Sequence, residues 1–199
     1  MLAMVQERAQ VLNLDLRCAN EKGVPIRRPD QMARGLRWSK LDPDHQEAIR
    51  GKFWARNYEG DLRVAFPGEK FDLVSGLMEL KERLLGFGGE EACLPAWEED
   101  LEKIMARGQF WYGARAKKMP GRPSDCHRNA CLLWEANQGQ VHIATGYALS
   151  KDGLWRQHSW AIWERQSRNT VVETTESRIG YFGFVMTKEE AERFYMDNL

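Results

Sequence analysis

A cysteine at a helix entry, a histidine on an apolar strand and a carboxylate on the next strand follow one another in the second half of this chain. Together they make the set that turns a thiol into a nucleophile. The segment "GRPSDCHRNACLLWEANQG", residues 121–139, places Cys126 directly after a Pro-Ser-Asp turn and before an apolar helical run. If Ser124 or Asp125 caps that helix, Cys126 stands in its first turn, where unpaired N–H groups and the positive end of the dipole favour a thiolate. Cys131 falls one turn deeper and reads as a small core hydrophobe. The buried face expected of this helix is Ala130, Leu132, Leu133 and Trp134.

A nucleophilic thiol also needs a base within reach and a group that orients the base. Alternation along "QHSWAIW" puts His158, Trp160 and Ile162 on one strand face, so His158 points toward a core or a cleft. In "VVETTE", Val171, Glu173 and Thr175 share a face in the same way. If the two strands are antiparallel neighbours, Glu173 accepts a hydrogen bond from one ring nitrogen of His158 and fixes its tautomer. If another strand separates them, Asp152 or Glu164 becomes the candidate instead. Taken singly, each residue has a plainer role: a structural cysteine, a satisfied strand histidine, an edge-strand carboxylate or a partner for Arg178. Their value is joint.

The order Cys at a helix start, His on a strand and carboxylate on the next strand resembles the papain-like and transglutaminase-like thiol enzymes. "HSW" is similar to the His-Ala-Trp of transglutaminase-like domains, and "ETT" to their Asp-Pro-Thr with Glu for Asp. The intervals from 126 to 158 and from 158 to 173 are compact in the transglutaminase-like manner. The resemblance covers about 120–186; His127 stands where an aromatic residue often follows the nucleophile, and papain's upstream glutamine has no counterpart. It implies an acyl-enzyme chemistry on a peptide or other acyl substrate, with Cys126, His158 and Glu173 as the catalytic residues. One oxyanion donor would be the Cys126 N–H; Trp111, Tyr112 and Gln109 are candidates for the second.

The elements that must position these residues read as follows. "LDPDHQEAIRGKFWARNYEG" is a helix with Asp42 and Pro43 at its start and Gly60 at its stop. "GEKFDLVSGLMELKERLLGFGG" has helical apolar spacing closed by a glycine cluster, and "PAWEEDLEKIMARG" is a short helix starting at Pro95. After the Cys126 helix, strands are expected near 140–149, 154–164, 170–175 and 180–186, as an antiparallel meander. Thr187 with Glu190 is a capping box opening a last helix. The fold class is therefore α+β, with a mostly helical N-terminal half and a core helix carrying Cys126 on a four-stranded antiparallel sheet. Residues 1–106 form a helical region, part of the same domain, and 107–199 the papain-like/transglutaminase-like core.

Composition narrows the function further. Of 199 residues 43% are hydrophobic, enough for a core without disulfides or metals, and Lys plus Arg balance Asp plus Glu at 29 each. Zero net charge argues against a dedicated nucleic-acid or membrane-surface protein. Cys18, Cys93, Cys126 and Cys131 lack a framework spacing and read as reduced thiols, which with the absence of a secretory signal or spanning segment points to the cytoplasm. Among Cys126, His127, Cys131 and His158 no pair has the spacing of a zinc site, and no cofactor is expected. His127 reads as an exposed helix residue and His142 as structural. The basic-aromatic segment "RGQFWYGARAKKMPGRP" reads as a solvated loop lining the cleft, where its charge would meet an acidic group on the substrate. It also supports an alternative from a different class, a non-catalytic binding module that uses 107–122 to hold a partner or nucleic acid.

Overall fold

The computed structural model describes residues 37–47, 71–95, 98–164 and 169–199. Helix α1, Phe71–Gly86, buries Leu77, Leu80 and Leu84 at the three- and four-residue spacing read from the sequence. Residues 43–47 are helical after Asp42; the rest of that helix, like Cys18, lies outside the described residues. Helix α2, Leu101–Arg107, is shorter than the helix expected from Pro95. Glu98 is committed elsewhere: it turns inward to bond the Tyr147 hydroxyl.

The chain is α+β, with α2 followed by helix α3 (Cys126–Ala136) and a last helix α4 (Lys188–Asn198), whose Thr187–Glu190 capping box is formed. The expectation of a four-stranded antiparallel meander is corrected. Strands β4 (Val141–Leu149), β5 (Leu154–Trp163), β6 (Thr170–Glu173) and β7 (Gly180–Val185) fall where expected, but they belong to a seven-stranded mixed sheet. Strand β1, Glu91–Cys93, pairs with β5 in parallel; β2, Gln109–Tyr112, pairs with β7; and β3, Lys117–Lys118, pairs with β6 in parallel. The order is β2-β7-β4-β5-β6-β3. β7 therefore lies beside β4, not beside β6, whose far edge is taken by β3. The segment 107–122 is not a free loop, because it supplies two strands to this sheet.

The sheet has two dry faces. On one, Ile143, Tyr147, Trp155, Ala161, Val172, Phe182 and Phe184 pack against Leu77, Leu80, Leu84, Ile104, Ala130, Cys131 and Trp134 of the helices. On the other, Ala144, Ala148, Trp160, Ile162, Val171 and Tyr181 form a second cluster. Of the face expected on α3, Ala130 and Trp134 are buried and Leu133 is partly buried, but Leu132 is 41% exposed. At 100° per residue the helix turns Leu132 away from the Cys126–Ala130–Trp134 stripe.

Candidate active site

Cys126 is the first residue of α3, with Asp125 as N-cap. Two features bring it to the sheet. The chain before it is stitched to β6, since Met119 N–H donates to Glu173 O at 2.9 Å and Gly121 N–H to Thr174 O at 2.7 Å. Asn129 then clamps the turn: its Oδ1 accepts from the Arg122 N–H at 3.0 Å and its Nδ2 donates to the Arg122 carbonyl at 2.8 Å. Gly121 must stay bare, because a Cβ there would meet the Asn129 amide at 2.5 Å.

The place where α3 enters is a gap in the sheet. One edge of β5 pairs with β4 from Trp155 to Trp163. The other edge pairs with β1 at Leu154–Arg156 and with β6 at Ala161–Trp163. Among the described residues no strand covers 157–160 on that edge. The start of α3 fills it: His127 Nδ1 lies 2.8 Å from Ser159 Oγ, which donates to Thr145 Oγ1 at 2.9 Å. The Ser159 backbone N–H also favours the Cys126 thiolate. A helix starting inside the sheet can therefore present its thiol to His158, although His158 faces away from the helices. His127 is not an exposed helix residue. It is half-buried, edge-on to Phe194, and burial and the neighbouring His158 lower its pKa.

His158 is 2% exposed and Glu173 is 1% exposed. The expected neighbour relation of their strands holds, β5 and β6 being antiparallel. His158 Nε2 donates to Glu173 Oε2 at 3.0 Å, which leaves Nδ1 for the thiol. Glu173 also accepts from Tyr181 OH at 2.8 Å and from the Thr175 N–H and hydroxyl at 2.7 and 2.9 Å. Burial opposes its ionisation, but the His158 bond and charge, the Thr175 N–H and the Tyr181 hydroxyl hold its pKa at about 2. Burial likewise opposes the His158 cation, and bonds to Cys126 and Glu173 overcome it, raising the imidazole. Burial also resists ionisation of Cys126; the bond and charge of His158, the Ser159 N–H and the Arg178 guanidinium outweigh it and lower the thiol. The three shifts run the same way, each toward the charged form of its group. Cys131, by contrast, is pushed up to about 11 by burial, and Cys93 to about 12.

Several members of this site escape sequence reading. Tyr181 stands on β7, three strands from β6, a span of about 14 Å in a flat sheet. It reaches Glu173 only because the sheet curls around this face. Trp160 lies nearly parallel to His158 at 6.2 Å and packs on Tyr181 at 5.1 Å. In the register row of His158, Gly146 and Gly183 bring β4 and β7 so close that a Cβ would meet backbone at 2.3 and 2.1 Å. A glycine inside each strand pattern, Gly146 in "ATGYAL" and Gly183 in "GYFGFV", was the available signal for close backbone approach. The alternative carboxylates are engaged elsewhere: Asp152 holds Arg156 through two bonds of 3.0 and 2.7 Å, and Glu164 bonds His142 at 3.0 Å. Arg178 pairs with Glu176 rather than Glu173. The candidate second oxyanion donors Gln109, Trp111 and Tyr112 all stand on β2, beyond β7 and β4, and the curl of the sheet brings Trp111 edge-on to Trp160 at 5.5 Å.

The basic residues of 107–122 are partly committed. Arg107 bonds Glu190 at 2.8 Å and lies 4.7 Å over the Phe184 ring, and Lys117 lies 5.4 Å over Trp163. Among the described residues no helix is long and apolar enough to cross a membrane. The chain matches no protein-family model, no curated protein and no solved structure.

Proposed function

We propose that this protein is a thiol hydrolase or acyl transferase acting on an amide, isopeptide or ester bond, of the papain-like/transglutaminase-like kind. The observation that carries the reading is the buried His158–Glu173 pair beside the half-buried Cys126 at the start of α3, with thiol, imidazole and carboxylate each shifted toward the charged form. The Cys126 thiolate adds to the acyl carbon, and the carbonyl π pair moves to oxygen as an oxyanion. The oxyanion collapses, the bond to the leaving group breaks, and His158 Nδ1–H protonates that group as it departs. A thioester on Cys126 remains. Water or an amine then enters, His158 takes its proton, and collapse of the second tetrahedral adduct returns the thiolate. Throughout, Glu173 keeps His158 Nε2 protonated and stabilises the imidazolium, as the third member of such a triad does.

The binding-module reading draws less support, because the segment is built into the sheet and Arg107 is held by Glu190, although Lys117, Lys118 and Arg122 stay exposed. Iodoacetamide at pH near 6, followed by mass mapping of the modified cysteine, decides between the two. The thiol-enzyme reading requires Cys126 to be alkylated faster than Cys93 and Cys131. Equal labelling, with partner binding lost on changing Lys117, Lys118 and Arg122, would favour the binding module.

A further inference from the structure

Strand β5 has a single exposed position, Gln157, in a run otherwise buried or half-buried. It lies on the helix-facing side with Trp155 and Ser159, in register with Tyr147. Its amide is held from behind: Gln157 Nε2 donates to Glu98 Oε2 at 3.2 Å, and the same oxygen receives the Tyr147 hydroxyl. Glu98 is 5% exposed and its Oε1 accepts the Asp100 N–H at 3.3 Å. The thiol chemistry as described uses none of these groups.

Their position follows from the path of α3. The helix begins over Ser159 and Thr145, through His127, and its chain turns at 137–140 into the start of β4, which pairs with Trp163. Its axis therefore runs along β4 and β5, with the N-terminus pointing down the strands toward Tyr147 and Gln157. Two residues of strand measure about 7 Å, little more than one helical turn. On this path Gln157 falls ahead of the first turn of α3, the end toward which the N–H groups of a helix are directed. It also follows Arg156 and precedes His158 on the uncovered stretch of β5, so it borders the same gap as the thiol.

We infer that the Gln157 side-chain amide is the second oxyanion donor, and that Glu98 with Tyr147 positions it. The inference rests on the thiol-enzyme reading. An amide carries two N–H bonds, and with one directed at Glu98 the other is available to the carbonyl oxygen that gains charge beside the Cys126 N–H. The carboxamide is pinned before substrate arrives, so little reorganisation is needed as charge develops. The Trp160 indole N–H has no partner among the described residues but is buried within the aromatic cluster on the opposite face.

The test separates an oxyanion effect from thiol reactivity. Alkylation by iodoacetamide is a displacement at a saturated carbon and forms no oxyanion, whereas acylation by p-nitrophenyl acetate does. Both second-order rate constants are measured at one pH on the full chain and on Gln157→Ala, with circular dichroism to check folding; an exposed position tolerates alanine. The ratio of acylation to alkylation should fall about 10²-fold or more in the variant, with the alkylation rate unchanged. Glu98→Gln, which keeps the shape but weakens the acceptor, should lower the ratio by less. An unchanged ratio in Gln157→Ala overturns the assignment of the donor. Loss of alkylation as well would mean that Gln157 acts through the thiolate, which also overturns it. Unselective alkylation of the unmodified protein is a different failure: it removes the thiol-enzyme reading, and the donor with it.

Discussion

Glu173 receives four donors from three residues while almost fully buried, and the consequence is a carboxylate that ionises near 2 rather than at its ordinary 4.5. A depressed carboxylate stabilises the fold above its unfolded pKa and loses that stabilisation as pH falls through the folded value. The window is therefore pH 4.5 to 2, and the amount is about 3 kcal/mol at 1.36 kcal/mol per pH unit. Urea unfolding should show wild type more stable than Glu173→Gln at pH 6, with the difference shrinking by about that amount by pH 2. His158 carries the opposite sign: its raised pKa stabilises below the unfolded value and the effect is lost on the alkaline side. For reactivity, His158→Ala should raise the Cys126 titration, read from iodoacetamide rates against pH, by about 1–3 units, since it removes the facing cation. Glu173→Gln should raise it less, because the imidazole remains. That these three residues meet was legible because their types, order and strand parity are all sequence properties. Tyr181 was not, since its bond to Glu173 depends on sheet curl. Nor was Gln157, since nothing local marks the one open position of a buried strand.

At the scale of the element, α3 is where pattern reading succeeds at one end and fails in the middle. The turn chemistry before Cys126 announces the helix start, and the start lies at Cys126 itself. The apolar run "ACLLW", however, offers three adjacent large residues, and counting apolar residues cannot choose among them; the 100° rotation can, and it excludes Leu132. Leu132→Gln should accordingly change stability by no more than about 0.5 kcal/mol. Asn129→Ala should be more costly, about 1 kcal/mol, because it removes both of the part-buried bonds that hold the Arg122 backbone. It should also slow Cys126 alkylation, as the turn that aims the thiol is released. Cys131→Ser should leave alkylation of Cys126 unchanged while lowering the unfolding midpoint, because a hydroxyl then occupies a fully buried site.

For the whole molecule, the composition and the helix-then-strand sequence of patterns were enough for the α+β class. They were not enough for the sheet, because pairing partners are a long-range property. Strands β1, β2 and β3 have two to four residues each, too short to show a period, and they were read as helix or loop. The same shortness gives β3 a further meaning. It ends the sheet on the β6 side, with both residues exposed and both lysine, and among the described residues no strand lies beyond it. An open strand edge is a template on which a second chain can add itself, and two charged side chains on so short a strand make that addition unfavourable. Lys117 and Lys118 are thus placed to guard that edge against self-association, a use of the basic segment that needs no anionic ligand at all. Replacing them with Val and Thr should leave Cys126 alkylation intact, yet light scattering at raised concentration should climb as the bared edge recruits other copies into mixed, growing sheets.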